Sequence, residues 1–165
     1  MSVKALVCAV VLAAAAALPI SSAAAQSPPP PYGAPISLDA AKKAMAAAEA
    51  EATKNKWPVA IAILDTTGSL VLLTKLDNTQ TGSVAIAEGK AKTALDFRRP
   101  SKAFQDTVAG GGVGLRVLGA NGIILPFEGG VPIIVDGKVI GSIGVSGVQS
   151  FEDAQVAMAG ASAVK

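Results

Sequence analysis

The sequence predicts an α/β domain of the α+β kind with element order αββααβββα, and three observations carry that reading. Apolar residues recur at helical spacing in two long stretches. Two apolar, β-branched runs flank the turn Asp136-Gly137 near the C-terminus, and proline or glycine marks the principal boundaries.

The first helix begins at Ser37, whose hydroxyl suits an N-cap. Leu38, Ala41, Met45, Ala48 and Ala52 repeat along one stripe, while Lys42, Lys43, Glu49, Glu51 and Lys54 fall outside it. Trp57-Pro58 ends the helix because proline disfavours helical backbone in the residue before it. Residues 59–64 read as a strand apolar on both sides, which calls for a layer or a partner subunit on each face. Asp65-Thr66-Thr67-Gly68-Ser69 turns the chain into a second strand over 70–76.

The second long helix spans 83–97. Val84, Ala87, Ala91, Ala94 and Leu95 form its apolar face, and Glu88, Lys92 and Asp96 form an i, i+4 charge ladder elsewhere. Arg98 and Arg99 suit the helix C-terminus, Pro100 blocks continuation, and Ser101 is placed to cap a short third helix through Ala109. The glycine cluster at 110–114 lacks the strand before it and the Gly-Lys-Ser/Thr after it that a phosphate loop requires, so it reads as a flexible loop. Residues 122–125 suggest a short strand, and 131–135 with 138–145 form the hairpin. Ser150 and Asp153 have capping-box spacing for a last helix that sets Phe151, Ala154, Met158 and Ala161 along one side.

Residues 1–25 read as an export signal, with Lys4 at the positive start, an apolar core over 5–18 and Ala23-Ala24-Ala25 as the cleavage site. Residues 26–36 are a proline-rich extended linker, and 37–165 the folded domain. The expected address is periplasmic or secreted, with no membrane attachment after cleavage. Cys8, the only cysteine, falls in the leader and leaves the mature chain without thiol chemistry. Losing Lys4 from 14 basic residues leaves 13 against 12 acidic ones, a balance that excludes nucleic acid as a main partner. Abundant alanine and glycine with few aromatics give little bulk per contact, so a homo-oligomeric interface is expected to supplement the core.

Histidine is absent, which removes histidine metal sites, Ser-His-Asp catalysis and the commonest axial ligand of heme. Glu49 with Glu51, and Glu152 with Asp153, are not spaced as metal clamps and read as surface or helix-start charges, so no metal site is expected. Lys90 projects beside Ile86 and Phe97 at the edge of the apolar face. It is the best candidate for a catalytic or ligand-contacting amine; the alternative is a lysine whose stem covers those two side chains while its ammonium reaches water.

Two tracts resemble the GlcG/HbpS family of heme-binding proteins, whose domain also forms the C-terminal part of PduO-type proteins. One is Gly129-Gly130-Val131-Pro132-Ile133-Ile134-Val135-Asp136-Gly137 continuing to Gly147. The other runs from Ala87-Glu88-Gly89-Lys90 to Arg98-Arg99-Pro100-Ser101. The resemblance implies a five-stranded antiparallel sheet with flanking helices, similar to profilin-like or PAS-like architectures, oligomeric assembly, and heme or another planar tetrapyrrole as ligand. Where many relatives carry Asp-Gly-Ala before the second helix, this chain has Asp77-Asn78-Thr79. Without histidine, ligation would fall to Met45, Met158, Tyr32, a lysine, a hydroxyl or nothing, and both methionines also suit core packing. Lys90, Phe97, Arg98, Arg99, Lys102 and Arg116 make up the expected ligand-binding set, the arginines and Lys102 for propionates. Three functions stay open: an exported small-ligand-binding protein, an oligomeric accessory or sensor-associated protein with protein partners, and an enzyme using Lys90.

Overall fold

The computed structural model describes residues 28–165; the expected leader, with Lys4 and Cys8, lies outside the described residues. The elements are α1 (Leu38–Asn55), β1 (Ala60–Asp65), β2 (Leu70–Lys75), α2 (Ser83–Phe97), α3 (Lys102–Ala109), a 3₁₀ segment (Gly112–Ala120), β3 (Gly130–Val135), β4 (Lys138–Ser146) and α4 (Ser150–Ser162). The sheet is antiparallel throughout in the order β2-β1-β4-β3.

The α+β class holds, with four strands rather than five. Residues 122–125 form no strand because their backbone is used elsewhere: the Leu125 N–H donates to Thr93 Oγ1 at 2.8 Å, lacing the segment to α2, and Pro126 follows. The glycine cluster likewise leads into 3₁₀ turns rather than an irregular loop. Past the end of β1, the proline-rich segment lies along β4. The Gly33 N–H donates to the Val139 carbonyl at 2.8 Å, the Val139 N–H to the Pro31 carbonyl at 2.8 Å, and the Ile36 N–H to the Ile140 carbonyl at 2.7 Å. Tyr32 forms a single parallel bridge with Val139.

As its unbroken apolar run predicts, β1 is buried on both faces. Ile61, Ile63, Ile143 and Val145 meet Ala44, Ala48, Val156 and Ala157 of α1 and α4. On the opposite side, α2 covers Ala60, Ala62 and Leu64 with Ala87, Ala91 and Leu95. Small residues set this spacing. Gly130 and Gly144 are cross-strand partners, and a Cβ on either would strike α2 backbone, at Lys90 or at Ala87 and Ala91. On the other face, a Cβ on Gly160 would come within 2.9 Å of the Ala44 carbonyl and 2.6 Å of Ile143 Cδ1. The alanine and glycine content is therefore what lets three layers close.

Ser37 caps α1, accepting from the Ala40 N–H at 3.2 Å. Two other predicted caps are replaced. The capping box of α4 is Gln149 with Glu152, one residue earlier than Ser150 with Asp153, which releases Asp153 to turn inward. Ser101 makes no cap; its buried hydroxyl donates to the Phe127 carbonyl at 2.6 Å and accepts from the Gly130 N–H at 2.9 Å. The expected core stripe of α4 is also corrected. Phe151 and Met158 are exposed, and the buried side is Asp153, Ala154, Val156, Ala157 and Gly160, because the small residues there permit the close approach to α1.

Candidate functional site

Lys90 sits on α2 and Asp153 on α4, on opposite sides of the sheet, yet they meet past the start of β3. Lys90 Nζ donates to Asp153 Oδ2 at 2.7 Å and to the Val145 carbonyl at 3.0 Å. Both side chains are enclosed, 2% and 3% exposed, and Asp153 Oδ1 also accepts from the Val148 N–H at 3.2 Å. Gly129, at φ 122°, seals the pair: a Cβ there would lie 2.9 Å from both Lys90 Nζ and Asp153 Cβ. Burial pushes the Lys90 ammonium below its ordinary range, with Asp153 pulling it back in part. Burial likewise raises the Asp153 carboxyl, against the lowering effect of Lys90. Lys90 is thus not a surface lysine covering Ile86 and Phe97, and Asp153 is not a solvated helix-start charge. The buried pair ties α2 to α4.

On the outer side of Gly129 lies an apolar cleft of about 190 Å³. Pro100 and Lys102 come from the turn after α2, Glu128 to Val131 from the glycine tract, and Ala154 and Met158 from α4. The two sequence signatures therefore converge here, through Ser101, whose hydroxyl binds the backbone of both Phe127 and Gly130. Two larger grooves, about 330 Å³ beside Trp57 and about 290 Å³ beside Leu70, are more open, and neither draws on both signatures.

The six residues expected to bind ligand are not gathered in one place. Lys90 is enclosed behind Gly129. Phe97 packs edge-on against Phe104 with ring centroids 4.9 Å apart. Arg98 stacks over Tyr32 at 5.2 Å and donates to the Pro30 carbonyl at 3.2 Å, so the proline-rich segment occupies it. Arg99 is exposed, its Nε donating to the Phe97 carbonyl at 3.3 Å. Lys102 reaches the cleft while pairing with Asp106 at 2.6 Å. Arg116 is exposed on the 3₁₀ segment. Glu128 and Gly129 line the cleft but lie outside the expected ligand-binding set; Gly129 opens the glycine tract and Glu128 precedes it, which is the signal the sequence offers for them.

Among the candidate ligating atoms, Met45 is 6% exposed in the α1 core and Tyr32 donates its hydroxyl to the Leu95 carbonyl at 2.8 Å. Met158, 52% exposed, lines the cleft. Among the described residues no cluster of three or more His, Cys, Asp or Glu side chains could hold a metal ion, and no helix is long and apolar enough to cross a membrane.

A three-layer domain with an antiparallel sheet between helical covers and an apolar cleft at the start of β3 defines a small α+β scaffold. The chain belongs to the HbpS-like family, described as "Haem degrading protein HbpS-like", which it matches over residues 36–162. It is 37% identical to Protein GlcG of Escherichia coli K12 over 111 residues, covering 67% of this chain and 81% of that one. Among solved structures it resembles HbpS, with TM-score 0.73, 29% identity and coverage of 81% of this chain and 92% of that chain. It also resembles PduOC in a heme complex, with TM-score 0.72, 26% identity and coverage of 79% and 96%.

Proposed function

We propose that this is an exported, periplasmic or secreted small-ligand-binding protein that takes heme or another planar tetrapyrrole without histidine ligation. The apolar cleft at Gly129 to Val131, with Met158 on its rim, is the observation that carries the reading. Family membership and the heme complex of a relative support the ligand class. The apolar run over 5–18 before Ala23-Ala24-Ala25 supports export.

The donor set fits such a group in a particular way. Val131, Ala154 and Pro100 offer apolar contact to the ring, Met158 a soft thioether, and Lys102 an ammonium for a propionate. Bound heme supplies the iron and its redox chemistry. The chain supplies burial, orientation and a charge at the rim. The cleft's volume of about 190 Å³ falls below the roughly 300–1,000 Å³ of sites that enclose a small molecule, so it takes one edge of a macrocycle.

Hemin titration of the purified protein tests this. A saturable, shifted absorbance band is expected, and Met158→Ala should move the band and weaken binding. Losing the burial of one such side chain is worth about 1.5–3 kcal/mol, roughly ten- to hundredfold in affinity. Linear uptake without saturation, unchanged in the variant, refutes the site.

A further inference from the structure

The segment from Lys102 to Ala120 lies at the edge of the three layers, rooted there by Phe104 against Phe97 and by Gln105, whose Oε1 accepts from the Glu128 N–H at 2.8 Å. Neither α3 nor the 3₁₀ segment carries a buried residue, and the two pack principally on each other. Their tip is apolar, with Val113 74%, Leu115 48% and Leu118 60% exposed. Exposed aliphatic side chains gathered in one short segment mark a candidate contact surface. Arg116 is the only charged side chain between Asp106 and Glu128, and no carboxylate among the described residues lies within ion-pair distance of it.

The cleft has the complementary deficit. Its outer side is open, its rim includes the exposed Met158, and Phe151 stands 64% exposed on the same face of α4 about two turns earlier. Glu128 lines it as a carboxylate that acts on Lys90 and Lys102 through space but forms an ion pair with neither. Among the described residues, an apolar arm bearing an arginine outside any ion pair and an apolar cleft bearing, beside Lys102, a glutamate outside any ion pair thus occur on the same chain.

We propose that the arm of one copy lies across the cleft of a second copy, with Arg116 reaching Glu128 of the second copy and Leu115 and Leu118 forming the cleft's missing wall. The exchange is reciprocal, so a two-fold pair makes two equivalent slots, each built from both copies. Arg116 thereby enters a site that its own chain does not place it in. The use of the slot for a tetrapyrrole rests on the functional reading above, whereas the association does not.

Sedimentation velocity at low micromolar concentration, without ligand, tests the arrangement. The unmodified protein should sediment as a dimer or a larger even-numbered assembly. R116E and E128R should each raise the dissociation constant by about tenfold or more, and the double charge swap R116E/E128R should restore association. Both positions sit on the surface side of the fold, and unchanged far-ultraviolet dichroism in the variants shows that folding is intact. A monomeric unmodified protein, single variants that associate normally, or a double variant that fails to recover overturns the proposal. Hemin titration of the same proteins separates the two claims: rescue of assembly with no saturable hemin uptake in any of them leaves the interface standing and removes the tetrapyrrole.

Discussion

Replacing Lys90 with methionine keeps most of the side chain's length and apolar volume but deletes the ammonium. It leaves the Asp153 carboxylate, 3% exposed, with a single hydrogen bond from the Val148 N–H at 3.2 Å. Stranding one member of a buried pair costs about 3–5 kcal/mol. For a domain of this size that corresponds to a fall in Tm on the order of 10–20 °C. Asp153→Leu should cost a similar amount by stranding the ammonium. The double variant behaves differently, because two apolar side chains repack and only the Val148 N–H and one lone pair of the Val145 carbonyl lose partners, a loss of about 1–3 kcal/mol in all. A double-mutant cycle from urea denaturation should therefore return a coupling energy of several kcal/mol with the m-value unchanged. Additive single effects, with coupling below about 1 kcal/mol, would show that the pair does not tie α2 to α4.

Gly144→Ala should destabilise by at least about 1–3 kcal/mol, since the new methyl meets helix backbone rather than a movable side chain; a melting temperature equal to that of the unmodified protein would remove the close α2 contact. Asp65 accepts from the Thr67 hydroxyl at 2.6 Å, from the Thr67 N–H at 2.8 Å and from the Ser69 N–H at 3.1 Å, and these bonds, the hydroxyl's foremost, hold its carboxyl below the ordinary 3.8. Its folded value being depressed, its contribution is fully present above pH 3.8 and is lost as pH falls through the lower folded value. Asp65→Asn should accordingly flatten the acid limb of stability against pH, and an unaltered limb would contradict the turn's role.

The layers were legible because their signals are local. The alanine face of α2, the double-sided apolar run of β1 and the Asp-Gly hairpin each follow from spacing and turn chemistry within a few residues. What escaped depended on choices between near-equal local options. A capping box one residue earlier satisfies α4 as well as the expected one, and only tertiary contact with Lys90 decides that Asp153 goes inside. Met158 reads as core by hydrophobicity, but Gly160 and Ala157 let α4 approach α1 on another side and leave the thioether outward. Residues 122–125 have strand composition, yet the Thr93 hydroxyl claims the Leu125 amide first. The cleft draws on three separated stretches, so residue pattern alone marked its glycines but not the cavity between them.

The anchoring of Tyr32 carries a consequence for maturation. Its hydroxyl is held by the end of α2 and its backbone neighbours are stitched to β4. If the leader is cut after Ala25, about six residues separate the new amino group from that anchor, a reach of at most about 20 Å. A peptidase would therefore work almost against the folded body, and cleavage before this strap settles is the sterically easier order of events. A fusion partner placed at that new terminus would crowd the strap in the same way.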